Sequence, residues 1–110
     1  MTDLKKCRFY SLNFYGGEDT SIAAALYHSV FGWSIRSLSP GHSELAISES
    51  VVLVFSRPSL ECPVTPGTLT LVIDKVDFEL GEIDLNFNRS KNYISYLDPW
   101  ENRIWFYIEK

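Results

Sequence analysis

Large apolar and polar side chains alternate along most of this chain, and one run with helical spacing interrupts them. Residues 7–15 alternate, with Tyr10, Leu12 and Phe14 on one face and Phe9, Ser11 and Asn13 on the other. That period of two marks a strand, and Gly16 and Gly17 stop it. Residues 21–31 carry the helix. Ala23, Ala24 and Ala25 have high intrinsic propensity, and Ile22, Leu26, Val30 and Trp33 recur as an apolar stripe. Asp19 or Thr20 is the predicted N-cap, and Gly32 the residue that ends the helix. Three strands follow over 33–38, 43–48 and 51–55, the first two separated by the turn Ser39-Pro40-Gly41-His42. In the second, Leu45 and Ile47 share one face, and Glu44 and Ala46 the other.

Residues 57–67 hold three of the five prolines and read as a linker. The pattern then restarts. Strands are predicted over 68–74, 82–86, 93–97 and 103–109, with an irregular piece over 76–81 and a polar loop over 88–92. Asp98-Pro99 starts the turn into the last strand, where Ile104, Phe106 and Ile108 oppose Arg103, Trp105, Tyr107 and Glu109. Both faces of that strand are large, so one is expected to meet a helix and the other to line a cavity. The element order predicts two βαβββ units, over 7–57 and 67–109, the second degenerate with its helix shortened or absent. The expected fold class is α+β: one domain over 1–110, its two units forming a curved mixed sheet around a central groove.

Composition narrows the partners. One compact domain is the expectation for 110 residues. Net charge is −4 and no run of Lys or Arg occurs, which argues against nucleic acid or an anionic membrane surface. No apolar run approaches the length that spans a bilayer. The N-terminus is charged, and neither Cys7 nor Cys62 sits in a CxxC pair, so free thiols and a cytoplasmic location are expected. Gly16-Gly17 is too short to cradle a phosphate, and no cofactor is expected.

Two stretches bring a family into view. Leu26-Tyr27-His28-Ser29-Val30-Phe31-Gly32-Trp33 resembles the FYxxxLGW helix end of the vicinal oxygen chelate superfamily, which includes glyoxalase I, the bleomycin-resistance proteins and the extradiol dioxygenases. Asp98-Pro99-Trp100-Glu101-Asn102-Arg103-Ile104 is similar to its DPdGNxI turn before the last strand. The repeated strand order extends the resemblance over nearly the whole chain. Metal-binding members carry a His on the first strand, a His or Gln opening the second half, and a Glu on the last strand. The matching positions here fall at Ser11 or Asn13, at Thr68 or Thr70, and at Trp105. An indole has no lone pair for a cation, so no metal is expected. His28 on the helix and His42 in the turn lie off the pattern, and Glu109 is at most a displaced acid.

Strand parity gives the expected cavity wall: Phe9, Ser11, Asn13, Glu44, Thr68, Thr70, Trp105 and Tyr107. An aromatic floor with hydroxyl and amide rims and one carboxylate suits a small apolar, aromatic or cationic molecule. The resemblance implies non-covalent binding, with sequestration of a drug or metabolite. The alternative it implies is a metal-dependent glyoxalase-like or dioxygenase-like enzyme with a rearranged site. A blander alternative is a closed module in which Trp105 and Tyr107 fill space. No nucleophile stands beside a recognisable base, so catalysis is not expected. A missing second helix would leave a sheet face uncovered, and a homodimer is the expected remedy.

Overall fold

The computed structural model describes residues 4–74 and 93–109. A short 3-10 turn, Leu4–Lys6, precedes β1 (Ser11–Tyr15), α1 (Thr20–Phe31), β2 (Ser34–Ser37), β3 (His42–Ala46) and β4 (Val52–Ser56). Then come β5 (Thr68–Asp74), β6 (Tyr93–Leu97) and β7 (Arg103–Glu109). The strands form two mixed sheets, ordered β1-β4-β3-β2 and β5-β7-β6. In each, the opening strand pairs parallel with the closing one, and the other pairings are antiparallel. The sheets thus repeat one arrangement, and the α+β class is as expected. The expectations for 76–81, 82–86 and 88–92 lie outside the described residues.

Strands β5, β6 and β7 begin and end where alternation places them. β1 starts at Ser11, leaving Phe9 and Tyr10 outside it and exposed. His42, expected in a turn, is instead the first residue of β3.

The helix ends follow their chemistry. Asp19 is the N-cap, its Oδ1 accepting from the Ser21 backbone N–H at 3.1 Å and the Ser21 hydroxyl at 2.6 Å. Gly32 takes φ 72°, a left-handed conformation that costs glycine little, and its N–H donates to the His28 carbonyl. His28 is exposed, with Nδ1 2.6 Å from the Trp33 carbonyl, as a satisfied surface residue should be.

The buried helix face differs from the expected stripe. Thr20, Ala23, Ala24 and Tyr27 face inward, whereas Ile22 is 60% exposed. Val30 and Trp33 of that stripe do pack against the core, but the centre of the buried face is taken by the alanines, which let α1 lie close on the sheet, with one Tyr supplying the bulk. The Thr20 hydroxyl donates to the Ser39 carbonyl at 2.7 Å and shares a hydrogen bond with the Ser43 hydroxyl at 2.9 Å. This polar pair ties the start of α1 to β3.

One core serves both sheets. It joins Phe14, Leu45, Leu53 and Phe55 of the first sheet to Tyr96, Ile104 and Phe106 of the second, around Ala23, Ala24 and Tyr27. The Tyr27 ring lies edge-on 4.8 Å from Phe55, and Phe31 stacks 6.3 Å from Phe106. The buried rows of both sheets therefore point toward the helix, and their opposite rows point away from it.

The turn between β6 and β7 fastens the halves together. Asp98 is buried and accepts from the Tyr27 hydroxyl at 2.7 Å, the Asn102 amide at 2.9 Å, and the backbone N–H groups of Trp100 and Asn102. Burial first, then the Asp98 charge, pushes the Tyr27 phenol far above its usual range, so it remains a donor at any working pH. Asn102, fully buried, reaches across the seam. Its Oδ1 accepts from Tyr15 N–H at 3.1 Å and Gly67 N–H at 2.9 Å, and its Nδ2 donates to the Tyr15 carbonyl at 2.7 Å and to Asp98. All the hydrogen-bonding capacity of one amide is used to join β1, the start of β5 and the turn.

Glu101 sits in this turn at φ 70°, where a side chain is strained. The resembled motif has Gly there. Glu101→Gly is expected to raise stability by about 0.5–1 kcal/mol, the relief of strain exceeding the entropy of a freer unfolded chain. Urea unfolding of the two proteins checks this, and a lowered midpoint would contradict it.

Candidate ligand-binding site

The rows that point away from the helix hold the sequence-predicted site residues other than Phe9, which precedes β1, and the structure divides them into two groups. On the first sheet, register aligns Ser11 with Val52, and Asn13 with Val54 and Glu44. The Ser11 hydroxyl donates to Asn13 Oδ1 at 2.8 Å. Val52 and Val54 share this face and are buried, so its centre is closed. Phe9 lies beside this group, lining with Arg8 and Tyr10 a depression of about 490 Å³.

Glu44 is not the unpartnered carboxylate that its sequence position suggests. Its Oε2 lies 2.8 Å from His42 Nε2 and accepts from the Tyr10 hydroxyl at 3.4 Å, and its Oε1 is 3.8 Å from Arg36. The hydrogen bond from His42 chiefly holds the Glu44 carboxyl below its ordinary value; Arg36 and Tyr10 act the same way, and burial opposes them. Sequence reasoning missed this couple by assigning His42 to a turn. The signal was present, because residues two apart on one strand share a face.

A depressed folded pKa contributes stability that is full above the unfolded value and is lost as pH falls through the folded one. The stability difference between wild type and Glu44→Gln is therefore expected to be constant above the ordinary carboxyl value of 4.5 and to shrink below it. Thermal melts across the acid range measure this. A difference that stays level there would remove Glu44 from the linkage.

On the second sheet the away-facing row is three residues wide. Thr68, Arg103 and Leu97 align, then Thr70, Trp105 and Ser95, then Val72, Tyr107 and Tyr93. Thr68 and Thr70 are exposed; Trp105 and Tyr107 are half-buried. Tyr93 meets Trp105 edge-on with centroids 6.3 Å apart and Tyr107 at 5.1 Å. The Arg103 guanidinium lies 5.8 Å over the Trp105 ring, and its Nη1 donates to the Ser95 hydroxyl at 2.9 Å. Parity had put Arg103 on this face, yet the predicted site omits it. Tyr93 and Ser95 enter through the β6–β7 register, which alternation within one strand does not supply.

The metal that the fold family implies does not fit these residues. The matching positions offer hydroxyls, an amide and an indole, and Ser11 and Asn13 are bonded to each other. Among the described residues no three His, Cys, Asp or Glu side chains gather to hold an ion. No helix among them is long and apolar enough to cross a membrane.

No protein-family model matches the sequence, and no curated protein matches it. Solved structures do. The antibiotic binding protein TnmS3 from Streptomyces sp. CB03234 superposes with a TM-score of 0.70 at 19% identity, covering 94% of this chain and 97% of that one. Lactoylglutathione lyase from Agrobacterium tumefaciens gives 0.66 at 20% identity, covering 92% of each chain. A glyoxalase/bleomycin resistance protein/dioxygenase superfamily member from Sphaerobacter thermophilus gives 0.69 at 15% identity, covering 96% and 100%. The bleomycin-binding protein of Streptomyces verticillus, solved with copper(II)-bleomycin, gives 0.58 at 11% identity, covering 94% and 99%. The repeated sheets, the turn that joins them and these superpositions agree, and the chain has the fold of the glyoxalase/bleomycin resistance protein/dioxygenase superfamily.

Proposed function

We propose that this protein binds a small molecule non-covalently and without a metal, in the manner of a sequestering protein. The observation that carries the reading is the half-buried aromatic row on β7, with Trp105 standing where the resembled motif would place a carboxylate. A ring of that size, partly open and buttressed by Tyr93, offers area to a flat ligand and no lone pair to a cation. The exposed hydroxyls of Thr68 and Thr70 border it and can orient polar groups. Two of the fold neighbours are an antibiotic binding protein and a bleomycin-binding protein, which supports the same class of task.

Among the described residues, the His–carboxylate pair that a rearranged metal site could start from is His42 and Glu44. Arg36 already neutralises that carboxylate from 3.8 Å, which disfavours a second cation there.

The test is a thermal-shift and calorimetric screen of aromatic drugs and metabolites against wild type and Trp105→Ala. Wild type is expected to bind members of the panel, and Trp105→Ala to lose about tenfold or more in affinity. If the two proteins bind equally well, or wild type binds nothing, the β7 face is not the grip.

A further inference from the structure

Among the described side chains, the β7 face carries one charge that the aromatic row does not explain. Arg103 is half-buried at one end of the row, held over Trp105 and by the Ser95 hydroxyl. A guanidinium presents five N–H donors, and the bond to Ser95 occupies one of its nitrogens. Among the described residues no carboxylate lies within salt-bridge distance of it, the ion pairs being those of Arg36 and His42 with Glu44. Its neighbour across β5 is Thr68, whose exposed hydroxyl adds a donor at the same end. The opposite end of the sheet pairs Asp74 with Glu109, six residues along β7 and roughly 20 Å away. The described row therefore runs from a positive end over three aromatic rings.

Resting on the binding function proposed above, we propose that the ligand is a planar aromatic anion whose ring lies against Trp105 and whose acidic oxygens dock on Arg103 and Thr68. A planar fork suits a carboxylate or sulfonate bidentately. A cationic ligand, one of the three classes expected from the sequence, would meet Arg103 as a like charge. Glu44 lies on the other sheet, its carboxylate already engaged by the His42 ring and the Arg36 guanidinium.

The test uses three probes of similar ring size: anilinonaphthalene sulfonate, its uncharged parent phenylnaphthylamine, and the cationic thioflavin T. Affinities are measured by calorimetry on the folded full chain. Wild type is expected to prefer the sulfonate over the neutral parent by about tenfold, a charge-assisted hydrogen bond's worth. Arg103→Gln is expected to erase that preference, bringing the ratio of sulfonate to neutral-parent affinity to about one, and Arg103→Lys to restore part of it. Trp105→Ala should weaken both. Equal binding of all three probes, or a preference that survives Arg103→Gln, overturns the anion assignment and leaves the binding face standing. If no probe binds and light scattering shows a dimer in which Trp105 resists quenching by iodide, a second copy of the chain covers the row. In that case both this proposal and the binding function fall.

Discussion

Asn102→Ala is expected to unfold at a much lower urea concentration than wild type, with a loss of about 3 kcal/mol or more. The substitution deletes one small side chain but strands three partners, the N–H and carbonyl of Tyr15 and the N–H of Gly67, and takes from Asp98 Oδ2 one of its two donors, the Tyr27 hydroxyl remaining. Each is buried or half-buried, and a polar group left unmatched costs roughly 1–3 kcal/mol. The companion variant Asn102→Asp separates shape from hydrogen bonding. It keeps the volume, but sets a carboxyl oxygen 2.7 Å from the Tyr15 carbonyl and 2.9 Å from Asp98 Oδ2. The like charge and the facing acceptors would raise the folded pKa of the new carboxyl. Its stability deficit is then smallest at acid pH, where the group is protonated, and grows as pH rises through that raised value. Midpoints for both variants within a few tenths of a kcal/mol of wild type would mean that the halves are held by something else.

Gly67→Ala is the second large effect. A Cβ built there lies 2.7 and 2.8 Å from two carbons of the Phe14 ring and 3.2 Å from the Asn13 carbonyl. Phe14 is buried and wedged edge-on against Tyr27 and Phe55, so the ring has nowhere to turn. Backbone must move instead, and it is the backbone that Asn102 holds through the Gly67 N–H and that pairs Gly67 O with Arg103 N–H. Overpacking of this kind costs about 1–3 kcal/mol, and strain on the two hydrogen bonds places the expected loss at the upper end. Chemical denaturation measures it, and a neutral result would show that the strand start can shift freely. An alanine at Gly32 makes the contrast, because nothing lies within 4 Å of its Cβ and only its φ of 72° opposes the change.

What could be read in advance, and what could not, follows the range of the physical signal. Period-two alternation is local, and it placed β5, β6 and β7 to the residue. Caps are local too, and Asp19 and Gly32 are where their chemistry puts them. The helix face was legible only in part, at Val30 and Trp33, because its centre depends on a partner: alanines pack where a sheet comes close, and Ile22 is left in water at 60% exposure. The candidate site shows the same division. Trp105 and Tyr107 share a face by parity alone, whereas Tyr93 and Ser95 join them through the register with β6. Glu44 has a partner that the sequence did not supply, because His42 opens its strand and does not lie in the turn. The DPWEN turn was legible as a motif, but its role as the fastening between two sheets rests on hydrogen bonds to Tyr15, 87 positions away in sequence.

The seam between the two sheets relies on a carboxamide, one of the thermolabile side chains of proteins. In the native state the Asn102 side chain is wholly sheltered from water. Every excursion to the unfolded chain exposes it, and hydrolysis there yields aspartate, the change expected to disrupt this joint most at neutral pH. Brief heating should therefore be reversible and long heating should not, with the permanent loss set by the chemical ageing of one amide.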